Sequence, residues 1–75
     1  MKEFDLMKLA LNEARASEGR GEVPVGAVIF NRQNGKILAT AGNRMEELGD
    51  PTAHAELLAI RAATARLGSS RLLNC

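Results

Sequence analysis

The sequence contains no tryptophan and no tyrosine, and only one cysteine, one histidine and two phenylalanines in 75 residues. Each scarcity excludes something. A lone cysteine, Cys75, forms no internal disulfide, which fits a reducing compartment, and a cytoplasmic location is expected. With Phe4 and Phe30 as its only large aromatics, the chain has little with which to stack unpaired bases. If the protein handles RNA, most of its reading surface lies elsewhere. The longest apolar stretch, around Ala27 to Phe30, falls far short of the roughly 20 residues a membrane span needs, so no membrane partner is expected. The opening Met1-Lys2-Glu3-Phe4-Asp5 mixes acids with bases and precedes no apolar block, unlike a signal peptide. Charge of one sign is also missing: the net charge is +1, and Arg15, Arg20, Lys36, Arg61, Arg66 and Arg71 are scattered along the chain. That distribution reads as a solvated mixed-charge surface, although a balanced total does not exclude a local basic patch.

The rest is ordinary for a globular domain, at 45% hydrophobic and 25% charged residues. A chain of this size buries only about 60% of its unfolded surface and is marginal without a staple or partner. There is no internal repeat, low-complexity tract or linker. Phe4, Met7, Leu11 and Ala14 recur at helical spacing, which predicts an amphipathic helix from about Lys2 to Ser17, stopped by Gly19 and Gly21. Val25 to Phe30 is apolar and β-branched without polar alternation, the pattern of an inner strand covered on both faces. The Asn34-Gly35 pair predicts a hairpin, with Ile37 to Ala41 returning and Gly42 ending the strand. A polar loop is expected over Asn43 to Gly49. Asp50-Pro51 then opens a second helix that runs to Arg66 or Leu67 and stops at Gly68, apolar enough to be packed on more than one side.

An inner strand needs a neighbour on each edge and a layer on each face, yet one hairpin and two helices leave an apolar edge unpaired. On this reading the fold is incomplete, and Arg71 to Cys75 looks like the approach to something further. A missing C-terminal portion is the simpler completion, with a partner chain as the alternative.

The single histidine lies in Asp50-Pro51-Thr52-Ala53-His54-Ala55-Glu56. A His-x-Glu triplet alone is weak: His54 reads equally as a core or capping residue, and Glu56 as a first-turn acid favoured by the helix dipole. Residues two apart point about 200° apart in mid-helix and share no metal there. In a first turn, side chains tilt back toward the N-terminus and both can reach a point ahead of the helix. A histidine ligand beside a non-ligating acid is what hydrolytic zinc chemistry uses: the metal makes its water more acidic and the carboxylate shuttles the proton.

Three segments appear in order at compatible spacing: Glu22-Val23-Pro24-Val25-Gly26-Ala27-Val28, Gly42-Asn43-Arg44 and the Asp50-to-Glu56 stretch. Together they resemble the first half of the bacterial tRNA-specific adenosine deaminases, in the cytidine/deoxycytidylate deaminase superfamily with its H-x-E…P-C-x-x-C pattern. The resemblance runs from the first helix to Cys75. It implies an α/β fold, part of a three-layer α/β/α sandwich built on a mixed sheet, with residues 1–75 the N-terminal portion of one domain. It also implies one zinc per complete domain, with His54 a ligand, Glu56 the catalytic proton shuttle, and Asn43 and the Ala55 backbone N–H contacts to a flipped-out nucleoside. Structurally, Asn43 reads equally as a turn residue after Gly42. The implied reaction is hydrolysis of adenosine to inosine at the wobble position, with a tRNA anticodon loop as partner and a homodimer as the assembly.

The sequence departs from the family in lacking the Pro-Cys-x-x-Cys segment that supplies the other two ligands; Cys75 has no Pro before it and reads as an incidental or buried cysteine. One His and one non-ligating Glu do not hold zinc in a structural-grade site, so the isolated chain is expected to be inactive. Guanine deaminases carry a very similar Asp-Pro-Thr-Ala-His-Ala-Glu segment, so guanine deaminase and cytosine or cytidine deaminase remain alternatives, although Val-Pro-Val-Gly favours the tRNA branch. Outside enzymes, the alternatives are a non-catalytic truncated fragment and a small binding module with a structural His54.

Overall fold

The computed structural model describes residues 3–75. Its elements are α1 (Glu3–Gly19), β1 (Gly26–Phe30), β2 (Ile37–Gly42), α2 (Met45–Leu48) and α3 (Ala55–Leu67). The strands form an antiparallel pair in which Gly26 opposes Gly42 and Val28 opposes Thr40. A register shift between Ile29 and Phe30 places Phe30 opposite Ile37.

Alternation along the strands assigns the layers. Gly26 and Gly42 face α1, and their missing side chains set the spacing. A Cβ on Gly26 would lie 2.7 Å from the Ala14 nitrogen, and one on Gly42 would lie 2.8 Å from the Glu13 carbonyl oxygen. The helix therefore rests on bare backbone through its small residues, with Leu6, Ala14 and Ser17 buried beneath it. Against the opposite face lies α3, where Ala39, Ala59 and Ala63 form a core of small side chains flanked by Ala27, Ile29 and Ala41. The expected α/β/α layering is present around two strands.

Three expectations need correction. The first helix buries a different stripe from the one expected: of Phe4, Met7, Leu11 and Ala14, only Ala14 is buried, and Phe4 and Met7 are 68% and 60% exposed. The close approach to Gly26 and Gly42 selects the small-residue face and turns the large side chains outward. The hairpin itself forms where expected, with β1 ending at Phe30 and β2 starting at Ile37. Its loop runs from Asn31 to Lys36, and Asn31 Oδ1 accepts the backbone N–H groups of Gln33 (2.8 Å) and Asn34 (3.2 Å). Gly35 has φ 72° while Asn34 is not among the described residues with positive φ, whereas a type I′ turn needs both. The segment expected as a polar loop after Asn43 contains the short helix α2. Finally, α3 is packed on one side only, since Leu57 and Ile60 are 38% and 43% exposed.

The start of α3 also differs. It begins at Ala55, not at Asp50-Pro51, because Asp50 Oδ1 takes the Thr52 backbone N–H (2.8 Å) and hydroxyl (2.7 Å) and closes a separate turn. The expected stop is observed. Gly68 adopts a left-handed conformation (φ 66°) and its N–H returns to the Thr64 carbonyl. Arg66 ties this end to the sheet by donating to the Ile37 (3.0 Å) and Leu38 (3.3 Å) carbonyl oxygens. Every residue of β1 is half-buried, with both faces covered and one edge left without a strand among the described residues.

Candidate active site at the mouth of the third helix

The segment Ala53-His54-Ala55-Glu56 alternates sharply. Ala53 and Ala55 are fully buried, whereas His54 and Glu56 are exposed. His54 is the N-cap residue, with extended backbone (φ −77°, ψ 147°), and its imidazole makes no capping hydrogen bond. The ring is left available on the solvent side. Glu56, the second residue of α3, is the acid of its first turn. The two candidate catalytic groups thus sit at the positive end of one helix dipole.

The capping that His54 does not provide comes from Asn43. The first N–H groups of a helix have no partner within it. Here the Ala55 N–H donates to Asn43 Oδ1 at 2.8 Å, in a buried hydrogen bond. This bond fixes the orientation of the carboxamide, because only the oxygen can accept. Asn43 is 3% exposed, yet its Nδ2 is not among the buried side-chain atoms left without a partner. Among the described residues no hydrogen bond engages its Nδ2, so that donor is not committed within the fold. The Ala55 N–H is already engaged by Asn43, so Ala55 offers its backbone donor to the protein itself.

Asn43 is held by its backbone as well. Its N–H donates to the Val25 carbonyl at 3.1 Å, and its own carbonyl accepts from the Arg20 guanidinium at 3.3 Å. The Arg44 N–H donates to the Ala53 carbonyl at 3.0 Å, which joins the loop after β2 to the residue before His54. In the turn that leads to His54, the Thr52 hydroxyl, then the Thr52 N–H, hold the Asp50 carboxyl below its ordinary value, against a smaller effect of burial. Two braced loops therefore meet at His54.

Two residues that the sequence reading left without roles contribute to this brace. Glu22 is 7% exposed, and its carboxylate oxygens accept the backbone N–H groups of Glu46 (3.0 Å) and Glu47 (2.8 Å). The Glu46 N–H foremost, with the Glu47 N–H and the Arg20 guanidinium, holds its carboxyl below the ordinary value, although burial pushes the other way. Arg20 also donates to the Ser17 hydroxyl at 3.2 Å and approaches Glu47 at 3.9 Å. The available signal was a chemical oddity of the sequence: an acid placed between a glycine and an apolar strand, with no nearby base to pair it except Arg20.

Among the described residues, no group of three or more His, Cys, Asp or Glu side chains is arranged to hold a metal ion. His54 is one candidate donor. Cys75 is exposed, and its Sγ lies 3.6 Å from the Leu73 carbonyl oxygen. A zinc site needs three or four protein ligands, so these residues do not by themselves complete one. A cleft of about 380 Å³ lies beside β2, lined by Glu13, Arg20, Thr40, Arg44 and Leu58 among others, and none of the candidate catalytic residues lines it.

A buried asparagine is thus locked to the start of α3, with an exposed histidine and an exposed acid beside it. The chain is a member of the cytidine and deoxycytidylate deaminase zinc-binding family, whose model matches residues 1–75. The tRNA-specific adenosine deaminase of Aquifex aeolicus is 51% identical over 69 residues, which is 92% of this chain and 44% of that protein. A solved structure from work on A-to-I editing by tRNA:A34 deaminases at the wobble position superposes with a TM-score of 0.84 at 44% identity, covering 95% of this chain and 53% of that one. The guanine deaminase of Bacillus subtilis superposes with a TM-score of 0.89 at 38% identity, covering 96% of this chain and 45% of that one. The chain thus spans about half the length of the proteins it matches, and the cytidine-deaminase-like fold is shared over that part.

Proposed function

We propose that the protein carrying this chain is a zinc-dependent hydrolase that converts adenosine to inosine at the wobble position of a tRNA anticodon loop. Residues 1–75 would be the N-terminal portion of its single catalytic domain, working in the cytoplasm as a homodimer. The observation behind this reading is the Asn43–Ala55 hydrogen bond, which ties the Asn43 amide to the start of the helix that carries His54 and Glu56. The 51% identity to a tRNA-specific adenosine deaminase supports the tRNA branch.

His54 would be one zinc ligand, with the remaining donors coming from outside the described residues; bound zinc makes a water acidic enough to attack at neutral pH. Glu56 takes a proton from the attacking water and delivers it to N1 of adenine as the C6–O bond forms. A second transfer through Glu56 reaches the exocyclic amine as the C6–N bond breaks, so that adenosine and water give inosine and ammonia. Asn43 donates from Nδ2 to the flipped-out nucleoside and holds it in register. Ala55 supports this through Asn43.

A guanine deaminase would use the same histidine ligand and carboxylate proton shuttle, with water adding at C2 and ammonia leaving from C2, and the 0.89 TM-score to the Bacillus subtilis enzyme favours testing it directly. Incubating the protein with an anticodon stem-loop and, separately, with free guanine distinguishes them. Inosine in the RNA is the expected result; ammonia from guanine with unmodified RNA overturns the tRNA assignment.

A further inference from the structure

Glu22 is an acid taken out of water, and the structure explains why that is tolerated. Both carboxylate oxygens accept backbone N–H groups, at 3.0 Å from Glu46 and 2.8 Å from Glu47. These are donors at the start of α2, which Arg44 does not cap with its own side chain. Glu22 therefore caps a helix more than twenty residues away, and α2 lies between Asn43 and the Asp50 turn that leads to His54. From the same loop, Arg20 reaches the Asn43 carbonyl at 3.3 Å. Arg20 and Glu22 thus grip both ends of the Asn43-to-Glu47 stretch.

We infer that Glu22 is a positioning residue for the substrate site, acting through α2 to hold Asn43 and the rim beside His54 in their binding geometry. The inference rests on the deaminase reading for its substrate, and on the two hydrogen bonds for its mechanism. It also explains the exposed surface of α2, where Met45 is half-buried and Glu46, Glu47 and Leu48 are open to solvent. This four-residue helix buries no side chain of its own. A helix without a buried face has little packing to keep it in place, and the Glu22 carboxylate supplies the missing anchor. A role confined to folding would lower stability and leave substrate affinity alone. A positioning role weakens substrate binding in molecules that are fully folded.

The test uses the protein carrying this chain, with Glu22→Gln, Glu22→Asp and the wild type compared well below their unfolding midpoints. Glu22→Gln keeps the shape and offers one oxygen where two are needed; Glu22→Asp keeps both oxygens on a shorter arm. Two readouts are taken: amide hydrogen exchange at Glu46 and Glu47, and KM and kcat for an anticodon stem-loop, with zinc content measured alongside. In Glu22→Gln, exchange at Glu46 and Glu47 should rise about tenfold while the Ala59 and Ala63 amides stay protected. KM should rise about tenfold with kcat changed less than about twofold and zinc content unaltered, and Glu22→Asp should fall in between. Unchanged exchange at Glu46 and Glu47, or unchanged KM in a folded and active variant, overturns the inference. A wild type without deaminase activity instead sinks the proposed function, and the exchange rates then decide by themselves whether Glu22 anchors α2.

Discussion

Asn43 Oδ1 accepts the Ala55 backbone N–H at 2.8 Å, so the residue proposed to contact the nucleoside also caps the helix that presents His54 and Glu56. The two duties use different atoms of one carboxamide, and they separate by substitution. Asn43→Ala leaves the buried Ala55 N–H unpaired and should cost about 1–3 kcal/mol of stability. Asn43→Asp keeps an acceptor for that N–H and should stay closer to the wild type in denaturant titrations. Both should lose most deaminase activity, because neither offers the Nδ2 donor. Equal stability losses in the two variants would contradict this division of labour.

The glycine pair under α1 gives a second prediction. A Cβ at Gly26 or Gly42 meets helix backbone, 2.7 Å from the Ala14 nitrogen or 2.8 Å from the Glu13 carbonyl oxygen. Gly26→Ala and Gly42→Ala should each destabilise the protein by about 1–3 kcal/mol, since backbone yields less readily than a side chain. Gly19, with open space around it, is the control, and Gly19→Ala should be neutral or mildly stabilising by thermal unfolding.

Acid should loosen the brace. The Glu22 and Asp50 carboxyls are both held below their ordinary values, by the Glu46 N–H and the Thr52 hydroxyl respectively as the foremost causes. A depressed folded-state pKa contributes stability that is present above the unfolded pKa and lost as pH falls through the folded one. Denaturant midpoints should therefore hold through neutral pH and decline below about 4. The decline should be shallower in Glu22→Gln, which has no carboxyl there to protonate. A wild type that gains stability on acidification through this range would contradict the assignment.

Metal content follows from the donor count. With no three-donor cluster among the described residues, the purified 75-residue chain should hold well under one zinc per molecule and deaminate nothing. Elemental analysis after dialysis against a chelator checks this. A stoichiometric zinc that survives the chelator would mean that ligands assemble in a way the structure does not show.

Much of the fold was legible because its signals are local. The β-branched run before Phe30, Gly68 after α3 and the helix–hairpin–helix order, short of α2, follow from periodicity and turn chemistry. The errors arose where tertiary contacts decided between local options. Two apolar stripes compete on α1, and only the bare backbone of Gly26 and Gly42 favours the stripe with Ala14 and Ser17 over Phe4 and Met7. Asp50-Pro51 carries a legitimate helix-start signal, but Asp50 spends its side chain on Thr52 and the helix begins at Ala55. At the candidate site, the motif residues were legible as types. The double use of Asn43 and the capping of α2 by Glu22 were not, since both bonds join residues distant in sequence. A sequence pattern shows which groups are available; the partners come from the fold.

The most direct test of the account is inosine formation in an anticodon stem-loop by the protein carrying this chain, measured for the wild type and Glu56→Gln at matched zinc content. The account predicts inosine from the wild type and a loss of about 10²–10⁴-fold in turnover for Glu56→Gln, with stem-loop binding retained, as expected for removal of a proton shuttle. A Glu56→Gln protein that edits the RNA as fast as the wild type would contradict it.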